Sequence, residues 1–209
     1  MTIDSVDNKK IKNIRKLNQK KYRDETNEFL VEGIHLVKEA YKEGLLKEVV
    51  LEENEEIDFK VDTTYVTYNV IKSISSLDTP YKIIGVCKKK EEKEINGNVL
   101  ILDGLQDPGN LGTIIRSAVA FNVDTIILSK DTVDLYNPKV VRSTQGMNFH
   151  INIIRRDLEH EINALKENAE NKLGSKFKDK DFHTALLKSG TAPFNVVERN
   201  IDKYIEENK

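Results

Sequence analysis

The stretch "VLILDGLQDPGNLGTIIRSAVAFNVDTIILS", residues 99–129, decides how the chain is read. It opens on four apolar residues, Val99 to Leu102, a strand of the buried type. Leu111 to Phe121 then carries helical spacing, and Ile126-Ile127-Leu128 forms a second solid apolar run. A solid run in place of alternation marks a strand covered on both faces, as in a parallel sheet. Between strand and helix lies a tight polar turn with Asp103, Gly104, Asp107, Pro108, Gly109 and Asn110. Ligands of such sheets bind at the carboxyl ends of strands, where this turn sits. Asn110 is expected to cap the helix, leaving the N–H groups of Leu111 and Gly112 facing the loop. That arrangement suits an anion such as an RNA phosphate, onto which Arg116 could fork. An ordinary strand–helix loop with a capping Asn and a surface Arg explains the same residues. The stretch contains neither GxGxxG nor GxxxxGK[ST], which excludes the dinucleotide and P-loop readings.

Downstream the rhythm repeats. "NPKVVRSTQGMNF" (137–149) is a helix with Pro138 in its first turn, and "HINIIRR" (150–156) is a third strand. "DLEHEINALKEN" (157–168) is a helix with Asp157 at its N-cap. Alternating strands and helices predict a parallel sheet with crossover helices.

Upstream lies a different pattern. Residues 1–24 are basic, with Lys9, Lys10, Lys12, Arg15, Lys16, Lys20, Lys21 and Arg23, and Ile11, Ile14, Leu17 and Tyr22 recur at helical intervals. One amphipathic basic helix is expected there. It is a footprint for RNA phosphates with Tyr22 available for stacking, and equally the pattern of a solvated helix. A strand at 29–31, a helix from Ile34 to Tyr41 closed by Gly44, and strands in "LKEVVLEE" and "YKIIGVCKKKEE" follow. A further strand and a short helix lie in residues 63–80. These make a small α/β domain ending near the polar turn at 95–98. The expected organisation is therefore 1–95, 96–168 and a tail, 169–209.

The chain has 209 residues, 38% hydrophobic and 33% charged, with a net charge of -2. That is enough apolar surface for a real core, and no whole-chain field points to nucleic acid, so any basic patch is local. A single cysteine, Cys87, leaves no internal disulfide and fits a reducing compartment. No apolar run approaches the ~20 residues of a membrane span. The first residues, "MTIDSVDNKK", carry no secretory h-region. The expectation is a cytoplasmic protein without a membrane partner.

Three motifs in order give the chain a family resemblance. "LILDGLQDPGNLGTIIRSAVAFNVDTIILS" resembles motif 1 of the SpoU-type RNA 2′-O-ribose methyltransferases of the SPOUT superfamily. "NPKVVRSTQGMNFHINI" is similar to their motif 2, while "NKKIKNIRKLNQKKYRDETNEFLVEGIHLVKEA" and "DTPYKIIGVCKK" resemble their N-terminal RNA-substrate-binding domain. The resemblance covers about residues 8–168. It implies a parallel-sheet domain whose deep C-terminal trefoil knot holds S-adenosyl-L-methionine, and methyl transfer to a ribose 2′-OH of tRNA or rRNA. It implies Asn110 and Arg116 as catalytic residues, with Arg116 activating the 2′-hydroxyl. Lys9, Lys10, Arg15, Lys20, Lys21, Arg23 and the motif-2 Arg142 are then the RNA contacts. It also implies a homodimer resting on the C-terminal region.

The tail departs from this pattern. After residue 168 there is no Gly-Asn-Glu-Gly loop, and the glycines are Gly174 and Gly190 alone. Asn195 and Val196 echo the family's Ser-Leu-Asn-Val helix and are the cofactor-binding candidates. "DFHTALLKSGTAPFNVVERNIDKYIEE" (181–207) resembles instead the C-terminus of a helical zinc-peptidase-like family. No metal is expected, because "HEINA" at 160–164 has Ala164 where a second His is needed. Two helices, 180–188 and 195–207, are expected. The knot region and the last strands are missing, which predicts an open apolar sheet edge and argues against the family dimer. Impaired methylation follows; the alternative is a non-catalytic RNA-binding protein that keeps the substrate-binding domain.

Overall fold

The structure, a computed structural model, describes residues 2–188 and 194–209. It divides into two compact units. The first comprises Met1–Glu91, Gln106–Ser117 and Val133–His150; the second comprises Glu92–Leu105, Ala118–Thr132 and Ile151–Lys209.

The first unit is built on four strands, β1 (Glu28–Glu32), β2 (Leu46–Glu52), β3 (Asp62–Val66) and β4 (Ile83–Lys88), ordered β1-β4-β2-β3. β4 runs antiparallel to β1 and β2, and β2 runs parallel to β3. Successive strand residues point to opposite faces, so each apolar run feeds two cores. Leu30, Val50, Ile84 and Val86 face one side, with Ile11, Ile14 and Leu17 of the basic segment and Val70, Ile71 and Ile74 of α4 (Tyr68–Ile74). Val31, Val49, Ile83 and Cys87 face the other, with Leu36, Val37 and Ala40 of α3 (Ile34–Lys42) and with Val141 and Phe149. Burial pushes the Cys87 thiol well above its ordinary range, so it packs as a small hydrophobe.

The basic segment is two helices, α1 (Lys9–Lys16) and α2 (Lys20–Thr26), and not the single one expected. The break lies at Asn18-Gln19. Asn18 Nδ2 donates to the Ile74 carbonyl at 2.7 Å, and Gln19 is extended. The end of α1 is closed by Arg23, whose Nη1 donates to the Leu17 carbonyl at 2.8 Å.

The second unit carries the parallel sheet expected from the apolar runs: β5 (Val99–Leu102), β6 (Thr125–Ser129) and β7 (Asn152–Arg156), in that order. Asp157 caps α7 (Leu158–Leu173), accepting from the His160 N–H, as read from the sequence. The tail forms α8 (Asp179–Lys188) and α9 (Phe194–Asn208), close to the expected bounds. With α7 they enclose a core of their own, in which Ala169, Leu173, Phe182, Ile201, Tyr204 and Ile205 are buried. Among the described residues no strand follows β7. The sheet edge expected to be open is nevertheless partly closed: the Arg155 N–H donates to Glu92, and Asn152 exchanges hydrogen bonds with the Lys93 backbone. The linker thus lies along β7 and satisfies part of its free backbone.

Two helices connect these strands in the chain, α5 (Pro108–Ala120) and α6 (Pro138–Thr144). Residues 108–117 of α5 and the whole of α6 belong to the first unit.

Candidate active site

Asp107 opens α5. Its Oδ1 accepts from the Asn110 N–H at 2.7 Å, and its carbonyl accepts from the Leu111 N–H at 3.1 Å. Asp107 is therefore the N-cap and Asn110 the third helical residue, which corrects the expectation that Asn110 caps. The reason is local: Pro108, with φ preset and no N–H to lose, belongs at the first helical position, and the cap falls on the residue before it. The Leu111 N–H is bound inside the helix, and a carboxylate already occupies the positive end of the dipole. The anion cradle expected from Leu111 and Gly112 does not form.

The rest of α5 divides into two faces. Leu111 and Ile115, four residues apart, are buried. Asn110, Thr113, Arg116 and Ser117 are exposed and share one polar face at 100° per residue. Neither the Arg116 guanidinium nor the Asn110 side-chain amide makes a hydrogen bond or ion pair with the described residues. The two positions are about 9 Å apart along the axis. A helical side chain leans toward the N-terminus, so Arg116 reaches back over Thr113.

Gly112 sets how close α5 and α6 come. A Cβ at this position would lie 2.3 Å from Ser143 Cβ and 2.7 Å from its carbonyl carbon. Gly112→Ala is expected to destabilise the protein by about 1–3 kcal/mol despite alanine's higher helix propensity, because a helix backbone has to move. A urea titration checks this; an unchanged or raised midpoint would contradict the close approach.

The expected RNA contacts fall into three groups. Arg23 is corrected outright: its side chain is 3% exposed and pairs with Asp134 at 2.5 Å, so it stands inside the protein. Arg142 is also not a free phosphate ligand. Its Nη1 donates to Ser76 Oγ at 2.6 Å and lies 3.5 Å from Glu32 Oε1. Glu32 is buried and accepts in addition from the Ser76 N–H at 3.1 Å and from the Ser75 hydroxyl. This network makes Arg142 a positioning residue tying α6 to the end of β1. Sequence reasoning missed Glu32, although an acid closing the apolar run "FLVEG" signals a buried carboxylate with a partner. The third group stays at the surface. Lys10 pairs at 2.5 Å with Glu48, whose side chain is largely buried, whereas Lys20 and Asp24, 2.7 Å apart, form an exposed pair that costs little to exchange. Lys21 lies 3.9 Å from Glu25, while Lys9 and Arg15 form no ion pair among the described residues.

In the second unit a cavity of about 830 Å³ lies at the carboxyl ends of the parallel strands. Asp103 follows β5, Ser129 ends β6 with Lys130 and Asp131 just beyond it, and Asp157, 3.6 Å from Lys130, follows β7; all line it. Its apolar walls are Ile101, Leu158 and Ile162, with Leu186 and Val197 from the tail helices. The His160 N–H, and then Lys130, hold the Asp157 carboxyl below the usual carboxylate range, so it is ionised at neutral pH. The volume falls within the range of small-molecule pockets. The mixture suits an amphipathic cation: apolar side chains for a flat ring, carboxylates for positive charge and hydroxyl groups. Of the two cofactor candidates read from the sequence, Asn195 and Val196, the side chains lie outside the described residues.

Comparison with known proteins places these features in one family. Residues 97–194 match the SpoU rRNA Methylase family, and residues 8–85 match the MRM3-like substrate binding domain. The 23S rRNA (guanosine(2553)-2'-O)-methyltransferase RlmP of Bacillus subtilis is 41% identical over 170 residues, covering 78% of this chain and 68% of that protein. The mitochondrial rRNA methyltransferase 3 of Mus musculus is 32% identical over 151 residues, covering 64% of this chain and 36% of that protein. Among solved structures, an rRNA methyltransferase from Sinorhizobium meliloti superposes with a TM-score of 0.68 at 33% identity, covering 78% of this chain and 68% of that one. The AdoMet-bound form of that enzyme gives 0.66 at 33% identity, covering 78% and 67%. With its motif-1 turn, its parallel sheet and its N-terminal substrate-binding unit, the chain belongs to the SpoU rRNA methylase family.

Proposed function

We propose that this protein transfers a methyl group from S-adenosylmethionine to a ribose 2′-OH of ribosomal RNA, in the cytoplasm. The observation that carries the reading is Arg116: an exposed guanidinium without an internal partner on the polar face of α5, within the family's motif 1. S-adenosylmethionine, when bound, supplies a methyl group activated on a positively charged sulfur. The strand-end cavity fits that group, with Asp103 to meet positive charge or hydroxyl groups, and Ile101, Leu158 and Ile162 to pack on adenine.

Arg116 does not act as a base, because a guanidinium hardly deprotonates in a protein. It clamps a phosphate next to the target ribose and stabilises negative charge developing on the 2′-oxygen, whose proton leaves to solvent. The Asn110 amide, on the same face, orients the ribose or its phosphate by hydrogen bonding. The remaining acceleration comes from holding the 2′-oxygen in line for transfer.

A second reading, RNA binding without catalysis, is favoured by one observation: among the described residues no strand follows β7. Calorimetry of the purified, monodisperse protein with S-adenosylmethionine separates the two. One-site binding, weakened by Asp103→Asn, is expected. A folded protein that takes up no cofactor would remove the methyltransferase reading and leave the RNA-binding one. On the altered tail, the family dimer is expected to be absent, and the same preparation should sediment as a monomer.

A further inference from the structure

A second cavity, also of about 830 Å³, lies wholly in the first unit, between α1, α2 and the strands β1, β2 and β4. Its lining combines three kinds of group. Ile14, Leu17 and Val86 provide an apolar floor. Tyr22, half-buried, stands at the side, with Lys16 Nζ 5.4 Å and Lys21 Nζ 5.8 Å from its ring centroid. Lys9, Asn13 and Lys16 come from one face of α1, at the i, i+4, i+7 spacing.

The charge pairing separates the lysines that are tied from those that are available. On the opposite wall Glu28 is paired with Lys47 at 2.6 Å, and Glu48 with Lys10 at 2.5 Å. Glu25 faces Lys21 at 3.9 Å. The acids of the cleft are thereby matched by three lysines. Lys9 has no partner among the described residues, and Lys16 meets, besides the Tyr22 ring, only the Asn13 amide oxygen, at 3.5 Å. Lys9 and Lys16 are therefore the lysines of the cleft without an acidic partner among the described residues, and Lys16 stands beside the Tyr22 ring.

We infer that this cleft is a subsite for an unpaired nucleotide of single-stranded RNA, its base stacked on Tyr22 and its flanking phosphates held by Lys9 and Lys16. An aromatic face beside a cationic track is how single strands are gripped without regard to sequence. A duplex offers no free base to stack, so the cleft selects a loop or an opened strand. Asn13, which has both donor and acceptor, lies within the cleft to meet a base edge. The inference rests on the reading that this chain acts on RNA, and it adds which form of RNA the first unit takes and where.

Fluorescence anisotropy with a labelled ten-nucleotide single-stranded RNA, without cofactor, tests it. Tyr22→Ala is expected to weaken binding by about fivefold to a hundredfold, and Tyr22→Phe to bind as the parent does. The double variant Lys9→Gln/Lys16→Gln changes exposed side chains only, and is expected to lower the slope of log K against log salt by about 0.7 for each phosphate no longer neutralised. No binding by the parent protein, or parent-like binding and salt slope in the variants, overturns the inference. Cofactor calorimetry on the same samples keeps the outcomes apart: a parent protein that binds cofactor but no RNA, or variants that bind RNA as the parent does, reject the subsite alone, and RNA binding that depends on Tyr22 without cofactor uptake rejects the methyltransferase reading alone.

Discussion

Arg116→Ala is expected to lower methyl transfer by about 10²–10³-fold, the effect of removing one preorganised donor from a developing oxyanion. Stability should not change, because the side chain is exposed and touches no described partner. Cofactor affinity should not change either, since the cavity proposed for it is lined without Arg116. Single-turnover transfer of a labelled methyl group to ribosomal RNA measures the first quantity, and a thermal melt and calorimetry measure the other two. Arg116→Lys should recover only part of the rate: it restores the charge but not the planar fork that grips a phosphate through two hydrogen bonds. Parent-like transfer by Arg116→Ala would show that the polar face of α5 is not where the reaction is assisted.

The second large effect falls on folding. Arg23→Ala is expected to destabilise the protein by about 3–5 kcal/mol, the cost of leaving a buried charge without its partner. Two groups lose a partner and packing is lost with them. Asp134 keeps a carboxylate that is 16% exposed, the Leu17 carbonyl at the end of α1 loses its donor, and a cavity opens in place of the side chain. The pairing is incomplete even in the parent, since Arg23 Nε is buried without a hydrogen bond, so the gain from the pair is smaller than the loss on breaking it. Lys20→Ala, three residues away and exposed, is the control and should stay within about 0.5 kcal/mol. Urea unfolding of the two variants side by side decides the matter. An Arg23→Ala protein of parent stability but weaker RNA binding would return Arg23 to the RNA surface, where its neighbours in sequence stand.

These two arginines show what kind of information the sequence carries. Arg116 sits in a motif, and its exposure follows from the helix it stands on: with Leu111 and Ile115 turned inward, position 116 turns outward. Arg23 also sits on a periodic basic segment, and by pattern alone it belongs with Lys20 and Lys21. Its partner Asp134 is 111 residues away. No local pattern announces a contact of that range.

The same division runs through the molecule. Apolar runs specified the parallel strands, Pro138 in the first turn marked the start of α6, and capping chemistry specified the start of α7 at Asp157. At α5 the signal was present but divided: "DPGN" offers two capping residues, and the preference of Pro108 for the first helical turn selects Asp107. The tail helices were legible from their spacing, whereas the core they enclose with α7 was not. The break between α1 and α2 was hidden because both halves keep the same periodicity, and the contacts that fix it, Asn18 on the Ile74 carbonyl and Arg23 on the Leu17 carbonyl, are tertiary or cross the break.

By itself, then, the sequence determined most of the elements, their order and the motif that names the family, because propensity, capping and periodicity act between neighbours in the chain. Tertiary structure alone decided which charges meet a partner. It buried Arg23, tied Arg142 to Glu32 and left Lys9, Lys16 and Arg116 uncommitted. The physical reason is that a charge is buried only where a distant partner can meet it, and the fold, not the local sequence, brings that partner within reach.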